Sequence, residues 1–332
     1  MLLEVMVSNN TVMLCGRIVH TMSITRSSPP ICKQCGQPIW EGYITALGAT
    51  WHPEHFLCAA CHQPIGSARF NLHEGAPYHS ECYRQQVAPR CGYCGKPLVG
   101  EYMIDHWGTK YCKEHQRQYP ACSFCGRLVP PQQQEQGVSS SGSVRCPACR
   151  ASAIENVEQA RPVFSQLIRW VNSQGLMYNN LHLTLELCDR PKLANLLKVH
   201  AETHALGVTT GETHTLNGRV TRTEVSGVAI LEGLPTTLFQ GTTIHELGHV
   251  WLIVHGVKGL PSWAEEGFCE LLSYRYYTQL NTPESRYYAK GIEQNPNPVY
   301  GEGFRRLRAM ADYMGFQRFV ETMQRTKRLP PV

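Results

Sequence analysis

The stretch Thr243-Ile-His-Glu-Leu-Gly-His249 decides how this chain is read. Its His245-Glu246-x-x-His249 core sets two imidazoles four residues apart, on one face of a helix and one turn above each other. Two histidines so placed can hold one zinc ion, with Glu246 close enough to act as general base on water. The neighbours Leu238, Phe239, Ile244, Leu247, Val250, Trp251, Leu252 and Val254 predict that this helix is buried. Such a motif needs a third ligand before it carries weight. The turn Gly256-Val-Lys-Gly-Leu-Pro261 lets the chain reverse into a second helix, with Pro261 and Ser262 as its start signals. Glu265 and Glu266 follow His249 after fifteen and sixteen intervening residues, and either carboxylate could complete a His2Glu site with one position left for water. Glu270 falls one turn after Glu266 on the same face, where it could orient a ligating histidine.

Cysteine usage is the second signal. Twelve of the fifteen cysteines lie between Cys32 and Cys149, paired as C-x-x-C or in register with histidines. Paired C-x-x-C with spaced histidine is the zinc pattern rather than a disulfide pattern. Cys32, Cys35, His52 and His55 form one four, and Cys58, Cys61, His79 and Cys82 form the next after only two residues. Two tandem fours so close resemble a LIM domain, and Trp51-His-Pro-Glu-His-Phe56, Phe70 and Tyr78 extend the resemblance. Cys91, Cys94, Cys112 and His115 make a third four, and Cys122, Cys125, Cys146 and Cys149 a fourth, each with zinc-ribbon spacing. Six residues separate these last two, so the second pair is expected to be LIM-like. The lone cysteines Cys15, Cys188 and Cys269 have no partner in sequence, and Cys269 reads as core.

With 332 residues the chain has room for two or three domains and one sizeable core. Residues 1–30 are expected to be a disordered leader without a secretory signal. A LIM domain over 31–88 and a LIM-like zinc-ribbon pair over 89–150, each with two zinc ions, should follow. The polar run from Pro130 to Ser143 reads as a solvated hairpin tip. Residues 151–332 are expected to form an α+β metallopeptidase domain, which makes the fold class α+β overall. Within it, residues 152–174 have helical spacing with Pro162 as a kink or boundary. Leu181–Leu187 alternates as a strand, a helix should run from Pro191 to about Val199, Gly-, Thr- and His-rich turns come next, and 219–231 reads as strand. The rest should be helical, with breaks at Pro283 and around 295–298.

Formal net charge is +5. Residues 1–150 hold thirteen Lys and Arg against nine Asp and Glu, a surplus that four zinc ions on twelve thiolates would cancel. A nucleic-acid partner is therefore not expected, and no run approaches the roughly 18 apolar residues of a membrane span. His182, His214 and His255 read as surface or packed histidines, and His200-Ala-Glu-Thr-His204 lacks the glutamate position and apolar flanks of a metal helix.

The tract Trp263-Ala-Glu-Glu-Gly-Phe268 resembles the W-x-x-E-G-F tract of gluzincin aminopeptidases, which implies that Glu266 is the third ligand. The order of sheet, active-site helix and glutamate helix is similar to the zincin arrangement, where an edge strand beside the metal pairs with extended substrate. The whole constellation, carried by Trp51–Cys61, Tyr78–Tyr83, Leu234-Pro235, His245–Leu252 and Glu265-Glu266-Gly267, resembles the plant DA family of ubiquitin-activated LIM peptidases, known for restricting organ growth. The resemblance implies a cytoplasmic endopeptidase with one catalytic and four structural zinc ions, protein substrates and partners in ubiquitin-linked pathways. The acidic ubiquitin-interacting repeats of the plant members do not stand ahead of Cys32, so a shortened or bacterial relative is expected. The alternative is a LIM scaffold whose peptidase domain is latent. Tyr274, Tyr276, Tyr277, Tyr287, Tyr288 and Tyr300 include candidate donors to a developing oxyanion, among which the sequence does not choose.

Overall fold

Short hairpins with little apolar content cannot bury a core by themselves, and the described strands ahead of Gln118 lie almost entirely in them. The computed structural model describes residues 18–19, 28–66, 69–134, 143–179, 181–198, 205–216 and 219–330. Most of the expected leader, Cys15, the tip of the polar hairpin and the His200–His204 pair fall outside the described residues, as does the side chain of His214. Two compact units divide at Gln118 and Tyr119.

The first unit runs through β1 (Ile18–Val19), β2 (Tyr43–Ala46), β3 (Ala49–Trp51), β4 (Asn71–His73), β5 (Ala76–Tyr78), α1 (Ser80–Gln86), β6 (Met103–Ile104), β7 (Lys110–Tyr111) and α2 (His115–Gln118). Its strands pair only with near neighbours, as β1-β2-β3, β4-β5 and β6-β7. Ile44, Ala46, Phe56, Ile65 and Phe70 form a small core against which Trp51 and Tyr78 pack.

The first C-x-x-C pair of each four sits on the same tight knuckle. The residue after the second cysteine takes a positive φ, near +72° in Gly36 and Gly95, +73° in Gly126 and +57° in His62. Its N–H returns to the carbonyl of the first cysteine at 2.8–3.0 Å in all four. Glycine adopts that backbone without a Cβ penalty, whereas His62 bears a strain of about 1 kcal/mol on an exposed turn.

The second unit contains α3 (Pro131–Gln134), α4 (Pro147–Ala151), β8 (Ala153–Ile154), α5 (Val157–Ser173), β9 (Thr184–Cys188), α6 (Arg190–Leu197), β10 (Gly207–Leu216), β11 (Arg219–Leu231), β12 (Leu234–Pro235), α7 (Thr236–Val254), α8 (Ser262–Leu280), α9 (Pro283–Glu293), α10 (Gly301–Met314) and α11 (Phe316–Thr326). The sheet order is β10-β11-β9, with β10 antiparallel and β9 parallel to β11, so β10 is an edge. Helix α7 packs on β10 and β11, and α8 packs against both α7 and α10. Trp251, Phe239, Phe268, Phe304, Phe319 and Leu167 are fully buried between these layers.

Two expectations are corrected. The pair over 89–150 is divided between the units: the Cys91 four lies in the first and the Cys122 four in the second. The fourth four leads into β8, which pairs with β12 just ahead of α7. The supposed turns between α6 and β11 are mostly the edge strand β10, whose run of threonines suits a pleated strand and whose Gly211 sits at a register shift. Of the two readings of Pro162, the boundary is excluded, since α5 starts at the Asn156 cap and continues through the proline. Elsewhere the limits differ by a few residues, β9 starting at Thr184 and α6 ending at Leu197.

Candidate metal centres and active site

Zinc held tetrahedrally at ordinary bond lengths separates two nitrogen ligands by about 3.3 Å, nitrogen and sulfur by about 3.6 Å, and two sulfurs by about 3.8 Å. Those edges recur in the clusters of this chain. His52 and His55 Nδ1 lie 3.3 Å apart, with Cys35 Sγ 3.5 Å from the first and Cys32 Sγ 3.6 Å from the second. Cys61 and Cys82 Sγ lie 3.3 and 3.9 Å from His79 Nδ1, while His79 Nε2 faces the Pro64 carbonyl at 3.2 Å, a partner that orients the ring. Cys94 and Cys112 are 3.8 Å apart, and Cys125 and Cys146 are 3.5 Å apart. All four sets, Cys32/Cys35/His52/His55, Cys58/Cys61/His79/Cys82, Cys91/Cys94/Cys112/His115 and Cys122/Cys125/Cys146/Cys149, bring one donor atom from each residue within 4.8 Å of the others. Burial opposes ionisation of Cys32, Cys58 and Cys91, yet backbone N–H groups aimed at each sulfur bring Cys32 down to about 5 and the other two to about 6. A sulfur already favoured as thiolate is the form that binds metal.

The fifth centre is built by α7 and α8. His245 and His249 stand one turn apart on α7, with ring centroids 5.1 Å apart. Helix α8 opens at Ser262 after Gly256 and Gly259, both at positive φ, have reversed the chain. It places Glu266 Oε2 3.1 Å from His245 Nε2 and 3.6 Å from His249 Nε2. These two distances bracket the edge expected for ligands sharing one zinc. Each imidazole turns its other nitrogen to a further carboxylate, His245 Nδ1 to Glu270 at 3.6 Å and His249 Nδ1 to Glu265 at 3.5 Å. The two glutamates left open by spacing thus take different places, Glu266 between the Nε2 atoms and Glu265 behind His249. Burial would raise the Glu266 carboxyl, but hydrogen bonds to both histidines hold it down at about 2. Burial also opposes charge on His245, and Glu266 with the charges of Glu270 and Glu246 outweighs it and raises the imidazole. For Glu270 burial prevails and its carboxyl is raised.

Glu246 is 7% exposed and accepts a hydrogen bond at Oε2 from Thr209 Oγ1 at 3.1 Å. The same hydroxyl reaches the Glu246 carbonyl at 3.0 Å, so β10 lies directly beside the motif. Tyr178 donates to the Leu247 carbonyl at 3.1 Å from the opposite side.

Two residues gain a place that sequence alone did not assign. Cys269, three residues after Glu266 and so on the same face of α8, is fully buried and groups with His245 and His249 within 4.8 Å. Burial pushes its thiol up to about 11. Glu266 differs from it in that one oxygen meets both Nε2 atoms and the carboxylate is already ionised. Gly248 leaves room for Cys269, because a Cβ there would lie 2.8 Å from its sulfur. Tyr300 is the second, its ring stacked 6.4 Å from His245 at 28°. Tyr274 instead bonds Glu293, Tyr276 packs on Trp170, and Tyr277, Tyr288 and Tyr287 form a row of rings in contact. His255 meets the Met177 carbonyl at 2.7 Å and Cys188 is buried in the sheet, so both are packing groups.

Comparisons with known proteins match two stretches of the chain. Residues 32–87 match the LIM domain model, and residues 174–285, which hold both α7 and Glu266, match the DA1-like model described as Protein DA1. Protein DA1 of Arabidopsis thaliana is 25% identical across 90% of this chain and 68% of its own length. Protein DA1-related 1 of the same plant is 28% identical across 75% of the chain and 51% of its own length. LIM domain-containing protein HDR3 of Oryza sativa subsp. japonica is 26% identical across 78% and 58%. The chain thus spans between about half and two thirds of the length of these relatives. It is a protein that joins a LIM domain to a DA1-like domain, similar to the plant DA1 proteins.

Proposed function

We propose that the chain is a zinc-dependent endopeptidase acting on protein substrates, with its LIM modules serving protein contact or regulation. The observation that carries this reading is the convergence of His245 Nε2 and His249 Nε2 on one oxygen of Glu266, with Glu246 held by Thr209 beside them. His245, His249 and Glu266 would hold the ion, and Glu265 and Glu270 would orient the two rings. Bound there, zinc supplies a Lewis acid that polarises a peptide carbonyl and makes water acidic near neutral pH. Glu246 takes the proton of the attacking water on its carboxylate and returns it to the leaving amine. The edge strand β10 offers unpaired backbone groups beside Glu246 to an extended substrate. Tyr300 presents its hydroxyl to the oxygen on which charge develops.

The four Cys/His sets would hold four structural zinc ions, as LIM domains do, which makes five with the catalytic one. Among the described residues no helix is long and apolar enough to cross a membrane. We further propose a cytoplasmic location and partners in ubiquitin-linked pathways, as the sequence resemblance to the plant DA family implies.

The test pairs zinc content with cleavage of an unfolded protein followed by mass spectrometry. Glu246→Gln should keep about five zinc ions per chain and lose at least about 100-fold in turnover. Glu266→Gln should fall to about four ions. Equal cleavage by Glu246→Gln would remove the peptidase reading, and four ions in both wild type and Glu266→Gln would favour a latent scaffold.

A further inference from the structure

The fourth cysteine set differs from the other three in its surroundings. Cys122, Cys125, Cys146 and Cys149 are all buried, whereas each of the other sets has partly exposed members. What encloses them is the unit that carries α7, and two separate arms run from this cluster to that helix.

The first arm follows the backbone. Cys146 caps α4, accepting from Cys149 N at 3.5 Å, and the helix ends at Ser152. The Ser152 carbonyl accepts from both the backbone N and the Oγ1 of Thr236, each at 2.7 Å, and Thr236 is the first residue of α7. Strand β8 follows and pairs with β12, whose Pro235 is the cap of α7. Arg145, beside Cys146 and buried, donates to the Glu155 carboxylate and to the Gly233 carbonyl at 3.3 Å, which closes the loop between cluster and helix start.

The second arm is a row of tyrosines. The knuckle glycine Gly126 lies so close to α9 that a Cβ would stand 3.1 Å from the Tyr287 hydroxyl. Tyr287 meets Tyr288 edge-on at 5.4 Å, and Tyr288 packs on Tyr277 of α8 at 5.5 Å. The Tyr277 hydroxyl fills the place where a Cβ on Gly241 would stand, 1.8 Å away, and Gly241 is one turn ahead of His245 on α7. Ser273 Oγ also donates to the Gly241 carbonyl at 2.8 Å.

We infer that the metal held by Cys122, Cys125, Cys146 and Cys149 is a positioning site for the His-Glu-x-x-His helix, fixing α7 at Thr236 and at Gly241 and thereby setting where His245 and His249 stand. It belongs to the machinery of the second unit and not to a protein-contact module. The inference rests on reading the histidine pair as a metal site, and its test needs no turnover.

Hydrogen–deuterium exchange on the full, zinc-loaded chain reads it directly. Cys149→Ser should lose one zinc, and amides from Leu234 to His245 should exchange about tenfold faster, with metal at the histidine pair stripped by a weaker chelator. Cys35→Ser should also lose one zinc yet leave α7 exchange as in the wild type. Unchanged α7 exchange in Cys149→Ser, with one zinc gone, overturns the inference. Should Cys149→Ser fail to fold, Thr236→Val keeps all four cysteines and cuts one link. Faster exchange at the start of α7 supports the inference there too, and unchanged exchange overturns it. A wild type with no metal at the histidine pair would sink the peptidase reading, while the exchange of α7 would still report on the cysteine cluster.

Discussion

Beside His245, the phenol of Tyr300 is acted on by burial first and then by the charges of Glu266 and Glu270, all of which raise its pKa. The hydroxyl therefore keeps its proton through neutral pH and is available as a donor. Tyr300→Phe should lower kcat about 100-fold with KM and zinc content near their wild-type values, measured on the same peptide substrate. A matching loss of metal would instead make Tyr300 a support for the His245 ring. Glu266 and Cys269 show why single residues in such a centre need coordinates. Both lie on one face of α8 and both reach the histidines, but only the carboxylate is held ionised and shared between both rings.

At the scale of elements, α8 and α10 cross at Gly267 and Gly303. A Cβ on Gly267 would come within 2.4 Å of the Gly303 carbonyl carbon, and one on Gly303 within 2.0 Å of the Trp263 carbonyl oxygen. Backbone contact that close leaves nothing soft to give, and the contact sits one residue from Glu266. Gly267→Ala should destabilise the second unit by about 1–3 kcal/mol, seen as a lower urea midpoint at unchanged slope. An unchanged midpoint would mean that the two helices part at little cost. The edge strand β10 is the other element on which the site depends. Its Gly207-Val-Thr-Thr-Gly211 sequence has the look of a turn, and only its pairing with β11 and its hydroxyl contact with Glu246 make it a strand at the site.

For the whole molecule, the two units rest on different physics. The first has a core of a few side chains around Phe56 beside three Cys/His sets that could hold metal, whereas the second buries Trp251, Phe239, Phe268, Phe304 and Phe319. Small zinc modules unfold when the ion is removed, because its binding free energy is their folding free energy. A strong chelator should therefore expose residues 28–118 to protease while most of the helical circular dichroism, which comes from the second unit, remains. Simultaneous loss of both signals would show that the second unit also needs its metal to fold at all.

The sequence by itself determined which cysteines and histidines come together, because metal chemistry demands fixed residue types at short fixed spacings: C-x-x-C on a knuckle, His-x-x-x-His on one helix face. It also determined that α7 and α8 are helices, the first from the apolar residues around its histidines and the second from the Pro261-Ser262 start. Tertiary structure decided the rest. Glu265 and Glu266 are neighbours in the chain, and only the angle at which α8 meets α7 separates the shared carboxylate from the one behind His249. Six tyrosines were equivalent in composition until packing left Tyr300 beside His245. The fourth cysteine set looked like half of a LIM-like pair because spacing says nothing of what encloses it. Its place with the His-Glu-x-x-His helix follows from a strand pairing and a row of rings that join residues far apart in sequence.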